Sequence, residues 1–318
     1  MNYIIITDYY HPIVKSGSII VGDLANELIN NGHNVTLITF VNHDSQEDKI
    51  SFDGEIKIIR ITTIFRKFGR FGRLLAEQSY SNKIIRNLRV YHDIKCDAII
   101  CYSPSIFYGK ALKWLKNKYN SKAYLIVRDI FPKWALDSGL IKRGLIYNYF
   151  KYVEKKLYNA ADIIGIETKS DIFYFENYGL PKTIQIEVLS NWGSALDELI
   201  DEPDEKILDN KKINIVYGGN IGDAQDLFSL VDSIDYSILD KRAQLTLIGG
   251  GNQYNKIKNL IYTKKLRNII LMPLVERSIY WSILLKADIG LVSLGKNMKS
   301  HNLPLKMMDF ALKLMDLY

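Results

Sequence analysis

The sequence predicts an α/β protein built from two consecutive doubly wound units. Two observations carry this. Short apolar runs alternate with longer amphipathic ones along nearly the whole chain, and one acidic stretch, Asp197 to Lys212, interrupts the alternation before it restarts. Strands covered on both faces read as continuous hydrophobic runs, and the helices between them form the crossovers of a parallel sheet. In chain order, strands are predicted at Tyr3–Ile6, Val35–Phe40, Ile56–Ile61, Ala98–Tyr102, Ala123–Val127 and Ile163–Ile166. Helical spacing fills Ile19–Asn30, Leu74–Val90, Tyr108–Lys118, Leu145–Ala160 and Lys169–Tyr178.

Past the acidic stretch, strands at Ile213–Tyr217, Gln244–Ile248, Asn268–Leu271 and Ile289–Ser293 alternate with helices at Ala224–Leu239, Tyr254–Tyr262 and Ile279–Lys286. A last helix begins near Leu305. The chain is thus expected to divide into a domain over 1–195, a linker over 196–212 and a second domain over 213–318. Open α/β sheets bind ligands outside the carboxyl ends of their strands, so the two units are expected to face each other across a cleft. A doubly wound unit has five or six strands, so the second unit is expected to be incomplete.

A length of 318 residues exceeds what one compact core holds, and 47% hydrophobic with 24% charged residues excludes a disordered chain. Two cysteines, Cys96 and Cys101, cannot build a disulfide framework and lack the partners of a zinc site, which points to a reducing compartment. No apolar run has bilayer-spanning length and no signal peptide is present, so a cytoplasmic protein is expected. The net charge of +7 is matched by one region: between Arg60 and Lys95, nine basic residues face two acids. Such an excess suits an anionic partner.

Five places could carry chemistry. Gly17 and Ser18 lie where the first loop meets a helix N-terminus, which offers N–H groups to a phosphate or polar sugar group; the alternative is a glycine that only turns the chain. Tyr217-Gly-Gly-Asn-Ile-Gly222 repeats this arrangement with more glycine, placing Gly219 and Asn220 where a diphosphate would sit. Arg128-Asp129 ends a buried strand; Asp129 either orients or deprotonates an acceptor hydroxyl, or pairs with Arg128 to pin the loop. Lys306 and Asp309 share one helix face and could meet a phosphate and a ribose diol, or form a surface ion pair. The segment Phe65, Arg66, Lys67, Phe68, Arg70, Phe71, Arg73 interleaves aromatics and cations. It suits anionic lipid headgroups; single-stranded nucleic acid and a solvated loop are the alternatives. A Gly-x-Gly-x-x-Gly fingerprint, a Walker A lysine and an Asp-x-Asp metal pair are all missing from the sequence.

These segments, taken in order, resemble glycosyltransferase family 4. The resemblance runs through Asp8-Tyr-Tyr-His-Pro, Gly32-His33-Asn-Val-Thr-Leu-Ile38, Val127-Arg-Asp-Ile-Phe-Pro132, Ala161-Asp162, Tyr217-Gly-Gly-Asn-Ile-Gly222, Leu247-Ile-Gly-Gly-Gly251, Ala287-Asp-Ile-Gly-Leu-Val292 and Pro304-Leu-Lys306. It implies a GT-B fold of two facing Rossmann-like domains and a retaining transferase. Gly17 would lie beside the donor diphosphate, Gly219 and Asn220 would match the phosphate loop, and Lys306 the donor-helix lysine. Asp309 would match the second acid of a Glu-x7-Glu motif, with His301 where the first stands. Many members carry Arg and Lys where this chain has Asn220 and Gln225, and Asp129 stands near a catalytic-loop histidine.

The function implied is transfer of a hexose-type residue from a nucleotide-diphosphate sugar, UDP-linked for preference. The acceptor would be a polyprenyl-diphosphate-linked glycan of O-antigen or capsule type, at the inner face of the cell membrane. Neither a cofactor, a metal nor a nucleic-acid partner is implied. A UDP-sugar 2-epimerase and a non-catalytic nucleotide-sugar or phospholipid-binding protein are the alternatives. The family pattern continues beyond Ala311, so a truncated member of weak activity is expected.

Overall fold

In a computed structural model, the structure describes residues 1–11, 13, 16–42, 49–63, 69–91, 93–192, 207–295, 307, 310 and 311. The chain forms two compact units that part between Trp192 and Gly193.

The first unit is an eight-stranded sheet. Its strands are β1 (Asn2–Ile6), β2 (Asn34–Asn42), β3 (Ile50–Asp53), β4 (Ile56–Thr63), β5 (Ala98–Ser103), β6 (Lys122–Val127), β7 (Ile163–Ile166) and β8 (Gln185–Val188), in the order β3-β4-β2-β1-β5-β6-β7-β8. Ile4, Ile5 and Ile6 in central β1 are all fully buried, as expected of a strand covered on both faces. Asp97 fixes its register with β5 by accepting from the Asn2 backbone N–H at 2.7 Å. The crossovers include α1 (Ser16–Asn30), α2 (Gly69–Val90), α3 (Gly109–Tyr119), α4 (Lys133–Asp137), α5 (Leu145–Tyr158) and α6 (Ile172–Glu176).

The sheet is parallel, as expected, except at one margin. β3 runs antiparallel to β4, joined by a tight turn at Gly54, whose φ of +54° suits glycine. This hairpin also holds the loop after β1. The Tyr10 hydroxyl donates to Asp53 Oδ2 at 2.9 Å, Arg60 Nη2 donates to the His11 carbonyl at 3.1 Å, and Arg60 Nη1 donates to Ser51 Oγ. The predicted helix Lys169–Tyr178 is shorter than expected: Thr168 and Asp171 cap a 3-10 turn, and α6 then makes little more than one turn.

The second unit is a four-stranded parallel sheet in the order β11-β10-β9-β12, from β9 (Ile213–Asn220), β10 (Ala243–Gly250), β11 (Ile269–Met272) and β12 (Ile289–Gly290). Leu245 and Leu247 of β10 pack with Tyr217, Leu227, Val231 and Ile257 on one side of this sheet. The helix predicted at Ala224–Leu239 is two helices, α7 (Leu227–Ser233) and α8 (Tyr236–Arg242), because Ile234 is extended. Its start is also delayed to Leu227 by Asp226, which takes the left-handed conformation at φ +47°. α9 (Tyr254–Lys264) and α10 (Arg277–Lys286) follow β10 and β11.

Candidate functional site

Polar residues collect at the carboxyl ends of the first unit's strands. Asp8, just past β1, is fully buried; it accepts from the Tyr108 hydroxyl and lies 3.8 Å from the Arg73 guanidinium. Arg73 comes from α2, and its Nε donates to Glu77 Oε1 at 2.6 Å. Glu77 Oε2 in turn accepts from Ser105 past β5 at 2.9 Å. The Tyr9 ring lies beneath the same guanidinium at 5.9 Å. Burial opposes the charge on Arg73, but Glu77, Tyr9 and Asp8 more than reverse that and raise its pKa.

Asp129, past β6, belongs to this cluster electrostatically. Desolvation raises its carboxyl pKa, and the charge of Arg73 pulls it back. Its neighbour Arg128 does not pin the loop by pairing with Asp129. Arg128 Nη1 donates to the Leu189 carbonyl at 2.9 Å, and the guanidinium stacks over Trp192 at 4.9 Å. Tyr102 and Glu167 support its charge, while burial lowers its pKa. Its Nε and Nη2 are buried without a hydrogen-bond partner among the described residues. A guanidinium held over a ring with donors left over is suited to an oxyanion.

Gly17 and Ser18 fall in the first turn of α1, where helical N–H groups lack intrahelical acceptors. A Cβ at Gly17 would come within 3.2 Å of the Tyr102 ring, so glycine lets the helix start close to β5. Ser18 is buried, and its hydroxyl donates to the Ile13 carbonyl at 2.7 Å, closing the loop.

In the second unit, the glycines of the β9 loop have packing reasons of their own. A Cβ at Gly218 would lie 2.2 Å from the Tyr280 ring, and one at Gly249 would lie 1.8 Å from the Gly219 carbonyl oxygen. Asn220 and Gln225, the neutral residues where the resemblance implies cations, pair with each other at 2.7 Å. Asp223 of this loop accepts from the Asn252 and Gln253 amides, and Ser293 donates to the Gln225 carbonyl at 2.7 Å. The loop is thus braced from two other segments, with Gly219 and Asn220 exposed at its tip.

Lys306, Asp309, Phe65, Arg66, Lys67 and Phe68 lie outside the described residues. Arg70 and Phe71 open α2, and their side chains are likewise outside the description. Arg73 is the one member of that basic segment whose side chain is described, and it serves the strand-tip cluster. Sequence reasoning did not single out Asp8, Glu77, Tyr108 or Trp192 as site residues. Asp8 ends a strand, as Asp129 does, and that position was the available signal. Among the described residues, there is no group of three metal-ligating side chains, and no helix is long and apolar enough to cross a membrane.

No protein-family model matches the chain. A colanic acid biosynthesis glycosyl transferase of Escherichia coli K12, WcaI, is 24% identical over 252 residues, which are 74% of this chain and 60% of that protein. The chain therefore spans less than two thirds of the length of this relative. Among solved structures, an E. coli trehalose-6-phosphate structure bound with UDP-2-fluoro glucose superposes with a TM-score of 0.68 at 12% identity. It covers 98% of this chain and 82% of the other. WaaG, a glycosyltransferase involved in lipopolysaccharide biosynthesis, superposes with a TM-score of 0.66 at 11% identity, covering 98% and 79%. The fold of this chain is the GT-B type of these glycosyltransferases.

Proposed function

We propose that the chain is a retaining, family-4-type glycosyltransferase. It moves a sugar from a nucleotide-diphosphate donor, UDP-linked for preference, to a lipid-linked glycan in surface polysaccharide synthesis, working peripherally at the inner membrane face. The observation that carries this reading is the charged cluster at the first unit's strand ends, set in a chain whose motifs follow the family order and which is similar to WcaI, a colanic acid biosynthesis glycosyl transferase. Donor binding is assigned to Gly219 and Asn220 with Lys306 and Asp309, and to the α1 N-terminus at Gly17 and Ser18. Asp129 is the acceptor-side carboxylate. Arg128 supplies unused donors for an oxyanion of the acceptor. Positioning and electrostatic support of the departing diphosphate provide most of the acceleration.

The test is direct. Nucleotide sugars are screened by thermal shift, and the stabilising donor is offered with a polyprenyl-diphosphate-linked acceptor. Transfer of labelled sugar into the lipid fraction, with the donor's anomeric configuration kept, is expected. An epimer released into solution, or donor binding with no transfer by any length of the protein, overturns the reading.

A further inference from the structure

α5 is apolar on two opposite faces. One face is buried and carries Phe150, Leu157 and Tyr158, with Glu154 held by Lys151, Tyr158, Tyr174 and Tyr178. On the other side, Leu145 is 89% exposed and Tyr152 58%; Ile146, in the first turn and on the side of Phe150 by its spacing, is itself 64% exposed. Leu145, Tyr149, Tyr152 and Lys156 recur at helical spacing and form one outward stripe. Lys156 Nζ sits 4.2 Å over the Tyr152 ring. Beside this stripe, Phe173 of α6, 71% exposed, joins Tyr152, Lys151 and Lys155 in the wall of a cavity of about 540 Å³.

Charge decides what this face meets. Residues 139–158 hold five cations, Lys142, Arg143, Lys151, Lys155 and Lys156, and one acid, Glu154, which is buried and already paired. A second copy related by a two-fold axis would set these cations against themselves. An exposed apolar patch rimmed by lysine, with tyrosine between, matches the layers of an anionic bilayer: acyl boundary, headgroup level and phosphate.

We propose that the outward face of α5 docks on an anionic lipid surface. Leu145 and Ile146 enter the interface, Tyr149 and Tyr152 sit at headgroup level, and the lysines hold phosphates. The cavity beside Lys151 and Lys155 receives a headgroup. This surface is distinct from the basic segment at residues 65–73; it rests on the peripheral membrane placement proposed above, and because docking needs neither donor nor turnover, vesicle binding and sugar transfer fail separately.

The experiment is sedimentation of the full chain with vesicles of phosphatidylglycerol and phosphatidylcholine, against phosphatidylcholine alone. Binding to the anionic vesicles that falls with salt is expected. The pair Leu145→Glu and Ile146→Glu should weaken it at least about tenfold. The pair Lys155→Gln and Lys156→Gln should weaken it roughly thirtyfold at low salt. All four side chains are exposed, and cooperative melting checks that each variant is folded. Equal binding to neutral vesicles, or anionic binding unchanged in both pairs, overturns the proposal. So does a dimer dissolved by the Glu pair in sedimentation velocity, or retention by single-stranded oligonucleotide with none by vesicles.

Discussion

Asp129 shows how a strand-end carboxylate separates stability from function. Its pKa is raised in the folded state, mainly by desolvation. The protonated form is therefore the better tolerated one, and the contribution of this residue to stability is present in acid and lost as pH rises through its folded value. Asp129→Asn is expected to raise the melting temperature at neutral pH, with the gain vanishing toward acid, while transfer falls by two or more orders of magnitude, on the order of a lost acid–base group. A melting-temperature difference that does not change with pH would refute the assignment. Arg128→Lys should lose about as much acceptor-dependent kcat/KM as Arg128→Ala, because lysine cannot reproduce a planar group stacked on Trp192 while bonding the Leu189 carbonyl. The position of Asp129 was legible in the sequence, since it ends a buried run. The partners of Arg128 were not: Leu189 and Trp192 lie some sixty residues away and reach it only after two further crossovers. No local pattern announces such a meeting.

Elements follow the same division. Strands buried on both faces were legible because a short, unbroken apolar run between turn residues suits a covered strand and little else. β3 and β8 were not, because at the two margins of the sheet their residues are largely exposed and their sequences, Ile-Ser-Phe-Asp and Gln-Ile-Glu-Val, carry no continuous run. β10 gives an element-scale prediction. Gly249→Ala places a methyl against the Gly219 carbonyl at a φ of +145°, and is expected to cost about 2 kcal/mol or more by denaturant midpoint. Gly250→Ala meets nothing within 4 Å and should be nearly silent. In α5, Glu154→Leu strands Lys151 and three tyrosine hydroxyls at a fully buried position, and should cost roughly 3–5 kcal/mol in a urea titration.

For the whole molecule, a donor that binds only the native state stabilises it by mass action, about 2.7 kcal/mol at a hundred times its Kd. Amide exchange with UDP present should slow first around residues 217–226 and 249–253, where the β9 and β10 loops meet. Protection confined to the first unit would move the donor assignment away from Gly219 and Asn220. The two-unit plan itself was legible because one acidic stretch stops a repeating grammar. The cross-bracing of the β9 loop by Asn252 and Ser293 was not, since it depends on loops from three separate strands.

The small turn at Gly54 has a consequence beyond its size. Surface turns with glycine are ordinarily where chains accept insertions. Here Asp53 and Arg60 tether the segment carrying Tyr10 and His11, only a few residues before α1 opens. Lengthening that hairpin would slacken the anchorage of a helix mouth some forty positions upstream. A change in hairpin length would then retune the donor capture proposed for Gly17 and Ser18 while leaving both residues untouched.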